Sequence, residues 1–576
     1  MANITAPEYI SPYVVTTSGG LVLDRDVYTM PVGAASILQN FEPSVRGGYR
    51  RLSGTSRFSS SQVGGSSSTI LGVAVFNNGV VAAQSTNVYF GTGSSWTSID
   101  SGRTSAGRYR FEKYNFSTNE ERLIFADGAN FASVYNGTTV MDIKGATTIS
   151  TTGSASNSST SLSVSSAAGI MEGMYIGGTN IGSGAKVSSI SGTTVTMSVA
   201  TTGTISSGSV TFAGLGTAPS DPSMVTAFKN HMFYAGMSAE PNTIVFSAIG
   251  DENDFTPSNG AGSLNVDSTI IALKSFRGEL IIFCEDRIYK LAGNALADFA
   301  IAPISRNVGC SDAFSIQEIG GDVIFLAPDG LRTIAGTARI GDVELGTVSK
   351  QIQARISDIG FTNISSVVIR DKSQYRLFYP SGGLESAEKG IIGVLKSNPS
   401  GQIGWEYSDI RGIKPSCCDS GFISGVEKVI HGGFDGYVYL QESGNTFNGT
   451  AMKAIYRSPD LTMGDAGIRK NMQRINVNYD PEGSVNASLF VKYDFEDAGT
   501  PQPSAYTLST ADTAAVYDNS GTLYDSAVYD AEGMPIVRQS VEGSGFTVVI
   551  RLEDESSNPP ITLKGFELEF TPGARM

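Results

Sequence analysis

Two histidines, His231 and His431, and four cysteines, Cys284, Cys310, Cys417 and Cys418, are the residues of this chain that could act as bases, nucleophiles or soft metal ligands. Acyl-transfer chemistry needs a base within reach of the nucleophile. His231 falls inside an alternating apolar stretch, and His431 lies between Ile430 and Gly432 at a strand end. These positions predict a packed ring and a turn residue rather than catalytic bases. No Gly-x-Ser-x-Gly elbow leads into a helix. No Cys-x-x-Cys or Cys/His cluster offers a structural zinc site. Cys284 reads as a small buried hydrophobe, and four cysteines in 576 residues make no disulfide framework. Glycoside hydrolysis would require a carboxylic acid/base pair with cationic residues facing a common channel. Asp286 with Arg287, and Asp329 with Arg332, are the candidates, but at turns such residues usually cap the backbone. Asp518-Asn519-Ser520-Gly521 supplies only part of a calcium loop. Gly182-Ser183-Gly184 lacks the lysine and the strand-to-helix setting of a phosphate loop. The residues therefore assign no catalytic group, no cofactor site and no metal site, and the chain reads as a non-enzyme.

The elements that would position any site are strands. Apolar runs broken by a tight turn recur about every forty to fifty residues: 70–76 with 80–83, 122–126 with 132–135, 224–228 with 231–235, 271–276 with 280–284, 316–319 with 323–327, 367–370 with 375–379, and 428–430 with 437–440. The intervening turns carry Asn77-Asn78, Asp127-Gly128, Lys229-Asn230, Arg277-Gly278, Gly320-Gly321 and Asp435-Gly436. A single hairpin buries one face only, so these units must stack on one another. Stacked around an axis they form a β-propeller of six or seven blades. The 67 glycines and a charged fraction of 16% suit an all-β chain rich in turns, and no amphipathic helix longer than about ten residues is evident.

Composition divides the chain into an N-terminal arm contributing to a platform (1–58), first blades (59–144), an inserted small β-domain (145–214), remaining blades (215–444) and a C-terminal platform domain (445–576) resembling a β-sandwich. The insert is rich in Ser, Thr, Gly and Val, with Glu172 and Lys186 its charged residues. Its stretches 169–176 and 187–197 alternate in period two, which predicts strands rather than a linker. In the C-terminal part, 474–479, 487–493, 547–552 and 562–570 alternate, with Phe566, Leu568 and Phe570 on one face. Between them, Tyr517-Asp518, Tyr524-Asp525 and Tyr529-Asp530 recur and read as a solvated hairpin edge.

The formal charge of −15 opposes tight binding of phosphate backbones, because that affinity comes from Lys and Arg displacing counterions. No run is long enough to span a bilayer, and residues 1–12 lack the basic and apolar segments of a secretory leader. Folding in a cytoplasm is the expectation.

The order of several segments resembles the tail nozzle, or tail hub (tail tubular), proteins of short-tailed bacteriophages. The arm carries Asp24-Arg25-Asp26, Met30-Pro31-Val32-Gly33-Ala34, Leu38-Gln39-Asn40-Phe41 and Gly47-Gly48-Tyr49-Arg50-Arg51-Leu52-Ser53-Gly54, ending in an Arg-x-x-Gly turn. Phe228-Lys229-Asn230-His231, Ile244-Val245-Phe246-Ser247, Asp251-Glu252-Asn253-Asp254-Phe255, Asn307-Val308-Gly309-Cys310 and Pro328-Asp329-Gly330 then follow in the family's order. The likeness spans most of the chain outside the insert. It implies a virion tail component assembled in the host bacterial cytoplasm. Its partners would be copies of itself in a hexameric ring, a tail adaptor protein, and tail fibre or spike proteins. Double-stranded DNA would pass through without specific binding, and the family carries no catalytic residues. The competing reading is a carbohydrate- or receptor-binding propeller at a virion tip. It would stack sugars on aromatic rings, yet Trp96 and Trp405 are the only tryptophans beside 23 tyrosines. A glycosidase-type propeller is the third reading.

Overall fold

The computed structural model describes residues 11–26, 28–105, 107–116, 120–335, 347–360, 363–380, 388–397, 403–510 and 536–575. The fold is all-β: a propeller, an inserted β-domain and a terminal β-sandwich. Among the described residues the one α-helix is the single turn Gln353–Ile356.

Seven blades surround the propeller axis among the described residues. Their inner strands are Ile70–Phe76, Arg110–Tyr114, Met224–Phe228, Ile270–Phe276, Gln317–Ile319, Ser365–Ile369 and Cys417–Ile423, each followed by antiparallel partners. Two-residue turns close five of the inner hairpins. Asn77-Asn78, Lys229-Asn230, Arg277-Gly278, Gly320-Gly321 and Ser424-Gly425 all hold positive φ at both positions, the type I′ geometry whose twist matches the strands it joins. The segments 122–126 with 132–135 and 428–430 with 437–440 pair as the hairpins expected of them. In the structure these are second and third strands of the second and seventh blades, and the inner strands Arg110–Tyr114 and Cys417–Ile423 precede them. Both inner strands escaped notice because their polar residues break the apolar run.

Neighbouring blades pack through discrete apolar layers. Phe283 of the fourth blade meets Phe325 of the fifth with ring centroids 5.2 Å apart, and Val73, Val75 and Val80 of the first meet Ile430 and Val438 of the seventh. Each such side chain contributes about 1.5–3 kcal/mol by leaving water. The ring closes through Thr55–Arg57, which pairs with Val438–Gln441 as the outermost strand of the seventh blade. A segment from the arm thus locks the last blade, and the ladder cannot form until both ends of the propeller meet.

The sandwich takes strands from both ends of the chain. One sheet joins Ser11–Thr16, Phe41–Pro43 and Tyr49–Arg51 to the long strands Ile468–Pro481 and Ile561–Arg575. The other joins Ile37–Gln39, Ala454–Arg457, Val548–Asp554 and Val485–Tyr493. Phe566, Leu568 and Phe570 point into the layer between them, as their alternation predicted. The second sheet does not stop at the domain edge. It continues through Ile403–Arg411 into the sixth blade, giving nine strands in one sheet, and a single apolar core runs from Ile324 and Leu377 to Leu552 and Leu568.

The insert is a six-stranded sheet between the second and third blades, running from Ile149–Ala155 to Ile205–Phe212 around its own core of Leu162, Met174, Val195 and Phe212. Its two ends leave side by side, with Gly145–Ala146 paired to Gly216–Thr217. Lys186 reaches Asp251 of the third blade at 3.2 Å.

Candidate functional site

Two loci gather charged side chains in buried settings: the junction between propeller and sandwich, and the propeller's central channel.

The junction is built around Glu42, in the strand Phe41–Pro43 and 2% exposed. Its carboxylate accepts hydrogen bonds from Lys372 Nζ at 2.7 Å, Gln374 Nε2 at 2.9 Å, Arg376 Nη2 at 3.2 Å and Arg50 Nη1 at 3.3 Å. Arg376 also donates to Gln441 Oε1 at 2.9 Å and pairs with Glu442. Arg50 continues to Glu482 at 2.6 Å. The arm, the sixth and seventh blades and the sandwich therefore share one ionic network. Burial acts against the Glu442 carboxylate, but Arg376 and Lys372 outweigh it and hold Glu442 down at about 2. Beside it, the fully buried Arg51 donates to Asp554 at 2.7 Å and to the carbonyls of Asn445 and Asn558, both at 2.9 Å. Three residues on, Gly54 crosses the chain so closely that an added Cβ would sit 2.2 Å from the Thr446 carbonyl oxygen. The Arg-x-x-Gly turn noted in the sequence thus has a physical basis: the arginine anchors the arm to the sandwich, and the glycine lets the backbone pass into the closing strand.

The channel is a cavity of about 400 Å³ lined by inner strands of all seven blades, among them Val73, Arg110, Thr226, Lys274, Gln317, Ser366 and Asp419. Phe314 also lines it. The guanidinium of Arg108 stacks on that ring at 3.7 Å, and Arg110 sits over the same ring at 4.5 Å. Arg108, just ahead of the second blade's inner strand, donates from Nη1 to the Ile364 carbonyl beside the sixth blade. Burial pushes Arg110 down to about 10 and lowers Arg108 as well. Further in, burial raises Glu112 against the opposing field of Lys274. Burial likewise raises Asp419, which accepts from the Val75 amide at 2.7 Å and so ties the seventh blade to the first.

None of the residues weighed from the sequence for acid/base work faces this channel. Arg287 binds Asp267 at 2.6 Å and Asp286 at 2.8 Å on the outer part of the fourth blade. Arg332 pairs with its own turn neighbour Asp329. His231 is fully buried, donates from Nδ1 to the Ser247 carbonyl at 2.6 Å, and meets Phe233, Phe246 and Phe299 edge-on. His431 stacks on Tyr439 at 5.1 Å. The four cysteines are free, with Cys284 fully buried, and burial raises each thiol. Among the described residues no group of three His, Cys, Asp or Glu is placed to hold a metal ion. The Asp518 loop and the Tyr-Asp repeats at 517–530 lie outside the described residues. The channel cations and the junction network are not evident from the hairpin pattern of the sequence. The available signal was a charge inside an otherwise strand-like segment: Arg110, Glu112 and Lys113 in the second blade, and Lys372 and Arg376 in the sixth.

No protein-family model matches the chain, and no curated protein matches it. Among solved structures, the computationally designed Ika8 protein aligns with 14% identity and TM-score 0.31, covering 66% of this chain and 98% of its own. Sqt1 of Saccharomyces cerevisiae aligns with 11% identity and TM-score 0.31 over 67% of this chain and 98% of its own. Hsv2 of Kluyveromyces lactis aligns with 9% identity and TM-score 0.26 over 59% and 97% respectively. At these scores the alignments carry no functional argument.

Proposed function

We propose that the chain is a structural subunit of a short phage tail, the distal nozzle, in which copies close a hexameric ring around a passage for double-stranded DNA. The ring docks to an adaptor ring and to tail fibres or spikes, and the protein acts without catalysis. The observation that carries this reading is the junction. A nine-stranded sheet and the Glu42 network join the propeller to a sandwich made from both ends of the chain, which suits a rigid block that must bear load. The segments that resemble the nozzle family include those that build this junction, from Asn40-Phe41 through Arg51 and Gly54.

The propeller's own channel, a cavity of about 400 Å³ filled in from all seven blades by side chains such as Arg110 and Lys274, is too small for a duplex. The DNA passage would therefore lie between subunits, around the ring axis. There a chain with formal charge −15 repels phosphates rather than gripping them. Cyclic closure requires a heterologous contact in which one patch meets a different patch on the next copy. Titrating labelled duplex DNA with the purified protein at physiological salt tests the conduit reading. Binding near the detection limit is expected, and tight salt-resistant binding overturns it.

A further inference from the structure

The apolar layer between the sixth and seventh blades gives way at one place to a cavity. Along the strand Val426–Gly432, Val429 packs with Val367, Phe378 and Ile410 of the sixth blade. The next residue on that face, two positions on, is His431. Antiparallel register sets it opposite Tyr439, which in turn pairs with Arg57 of the closing strand, and the imidazole stacks on the phenol ring at 5.1 Å. A cavity of about 250 Å³ opens against this pair, lined also by Phe434, Asp435, Phe447 and Asn448.

A histidine is costly in that position. It is 4% exposed, its Nδ1 has no hydrogen-bond partner, and burial keeps the ring uncharged by pushing it down to about 3. Packing alone is better served by an apolar side chain such as Val429. The rest of the lining is amphipathic. Phe434, Tyr439 and Phe447 contribute aromatic rings. The exposed Asp435 accepts from Tyr439 Oη at 2.7 Å and weakly from the Tyr437 amide at 3.4 Å, which leaves its carboxylate further acceptor sites. Neighbouring positive charge is already committed. Lys414, which also lines the cavity, pairs with Glu388 at 2.5 Å, and Arg57 lies over the Tyr437 ring at 3.9 Å. An anionic ligand is therefore disfavoured.

We propose that this cavity binds one pyranose ring of a neutral sugar. The C–H face of the sugar packs on the aromatic side chains, and its hydroxyls donate to Asp435 and exchange hydrogen bonds with Asn448. A volume of about 250 Å³ lies below the roughly 300–1,000 Å³ of a drug-sized pocket, so a single ring enters rather than a length of chain. A soluble sugar and the end of a glycan share this chemistry. The site is independent of the tail assignment, since it belongs to the isolated propeller.

The test uses the full chain at neutral pH, titrated with glucose, galactose and N-acetylglucosamine, each as the free sugar and as its methyl glycoside, and separately with choline. Calorimetry is read alongside saturation-transfer NMR of the sugar protons. Saturable one-to-one binding of at least one sugar is expected, with a Kd on the order of 1 mM. Equal affinity for the methyl glycoside assigns the site to the end of a glycan, and preference for the free sugar assigns it to a soluble one. Asp435→Asn should weaken binding roughly 10-fold by removing the charged acceptor. Phe447→Leu, which keeps the apolar bulk but loses the ring, should weaken it roughly 3–10-fold. Absence of binding by every sugar at tens of millimolar overturns the proposal. So does binding of choline in their place, which would make the rings and Asp435 a cation cage, or a pair of variants that bind sugar as the parent does. If one variant fails to fold, the other and the parent titration still decide.

Discussion

Gln39 pairs in parallel with Asp409, and this contact carries a sheet without interruption from the sixth propeller blade into the terminal sandwich. The remaining pairs of that sheet are antiparallel. The parallel contact arises because the arm strand Ile37–Gln39 is laid between two segments that are far apart in the chain, Ile403–Arg411 and Ala454–Arg457. Propeller and platform therefore cannot separate without breaking a β-ladder as well as an ionic network.

The network's contribution is measurable against an exposed pair. Arg376→Met removes a side chain that is 1% exposed and leaves Glu42 and Glu442 short of a partner, so a loss of about 3–5 kcal/mol is expected. Arg287→Met, which breaks pairs to the largely exposed Asp267 and Asp286, should cost far less, because solvent screens such pairs. Denaturant unfolding of both variants checks the contrast, and equal losses would remove the junction's special standing.

Gly54→Ala should disrupt closure of the ring. The added Cβ would stand 2.2 Å from the Thr446 carbonyl oxygen, a backbone atom held by the Thr55 amide at 2.9 Å, so the strand must shift at a cost above roughly 2 kcal/mol. Gly404→Ala meets nothing within 4 Å and has no left-handed backbone to strain. It should be neutral or slightly stabilising by limiting the unfolded chain. Thermal melts of the two variants make the comparison, with limited proteolysis reporting release of the arm.

Much of this architecture was legible from periodicity. Apolar hairpins and their Asn- and Gly-bearing turns announced stacked blades, and the alternation of Phe566, Leu568 and Phe570 announced the sandwich. Two inner strands were not legible, because along the channel wall Arg110, Glu112 and Asp419 replace the apolar residues by which a strand is recognised. The junction was hidden for a different reason. Glu42 lies 330 residues before Lys372, and Glu442 another 70 beyond it, and the pairing of the arm with the sixth blade at Gln39 and with the seventh at Thr55–Arg57 brings them together.

His431 makes stability depend on pH in a defined direction. Burial drives its imidazole down to about 3, outweighing the pull of Asp435, and Nδ1 has no partner. Protonation then favours the unfolded chain. The contribution is fully present above the ordinary value of 6.5 and is lost as pH falls from there toward 3. Between about pH 6.5 and 4.5 the slope from this group approaches roughly 1.4 kcal/mol per unit. His431→Phe should flatten that limb, and parallel profiles for the variant and parent would show that the ring does not titrate as described.

Removing the insert should leave the propeller folded. The flanking strands Gly145–Ala146 and Gly216–Thr217 are already paired, so a short flexible linker joining Ala146 to Gly216 adds little closure entropy. The principal charged tether lost is Lys186 to Asp251. A soluble deletion variant retaining the parent's β-type circular dichroism is the expected outcome, and an aggregated one would mean that the insert's core supports the third blade.

The proposed nozzle requires copies of this chain to close into a ring around an open passage. Electron-microscope images of the purified full-length protein, alone and mixed with a tail adaptor ring, address it most directly. Closed rings of six copies with an axial hole, formed spontaneously or on the adaptor, are the expected result. Particles that remain monomers or trimers under both conditions would contradict it.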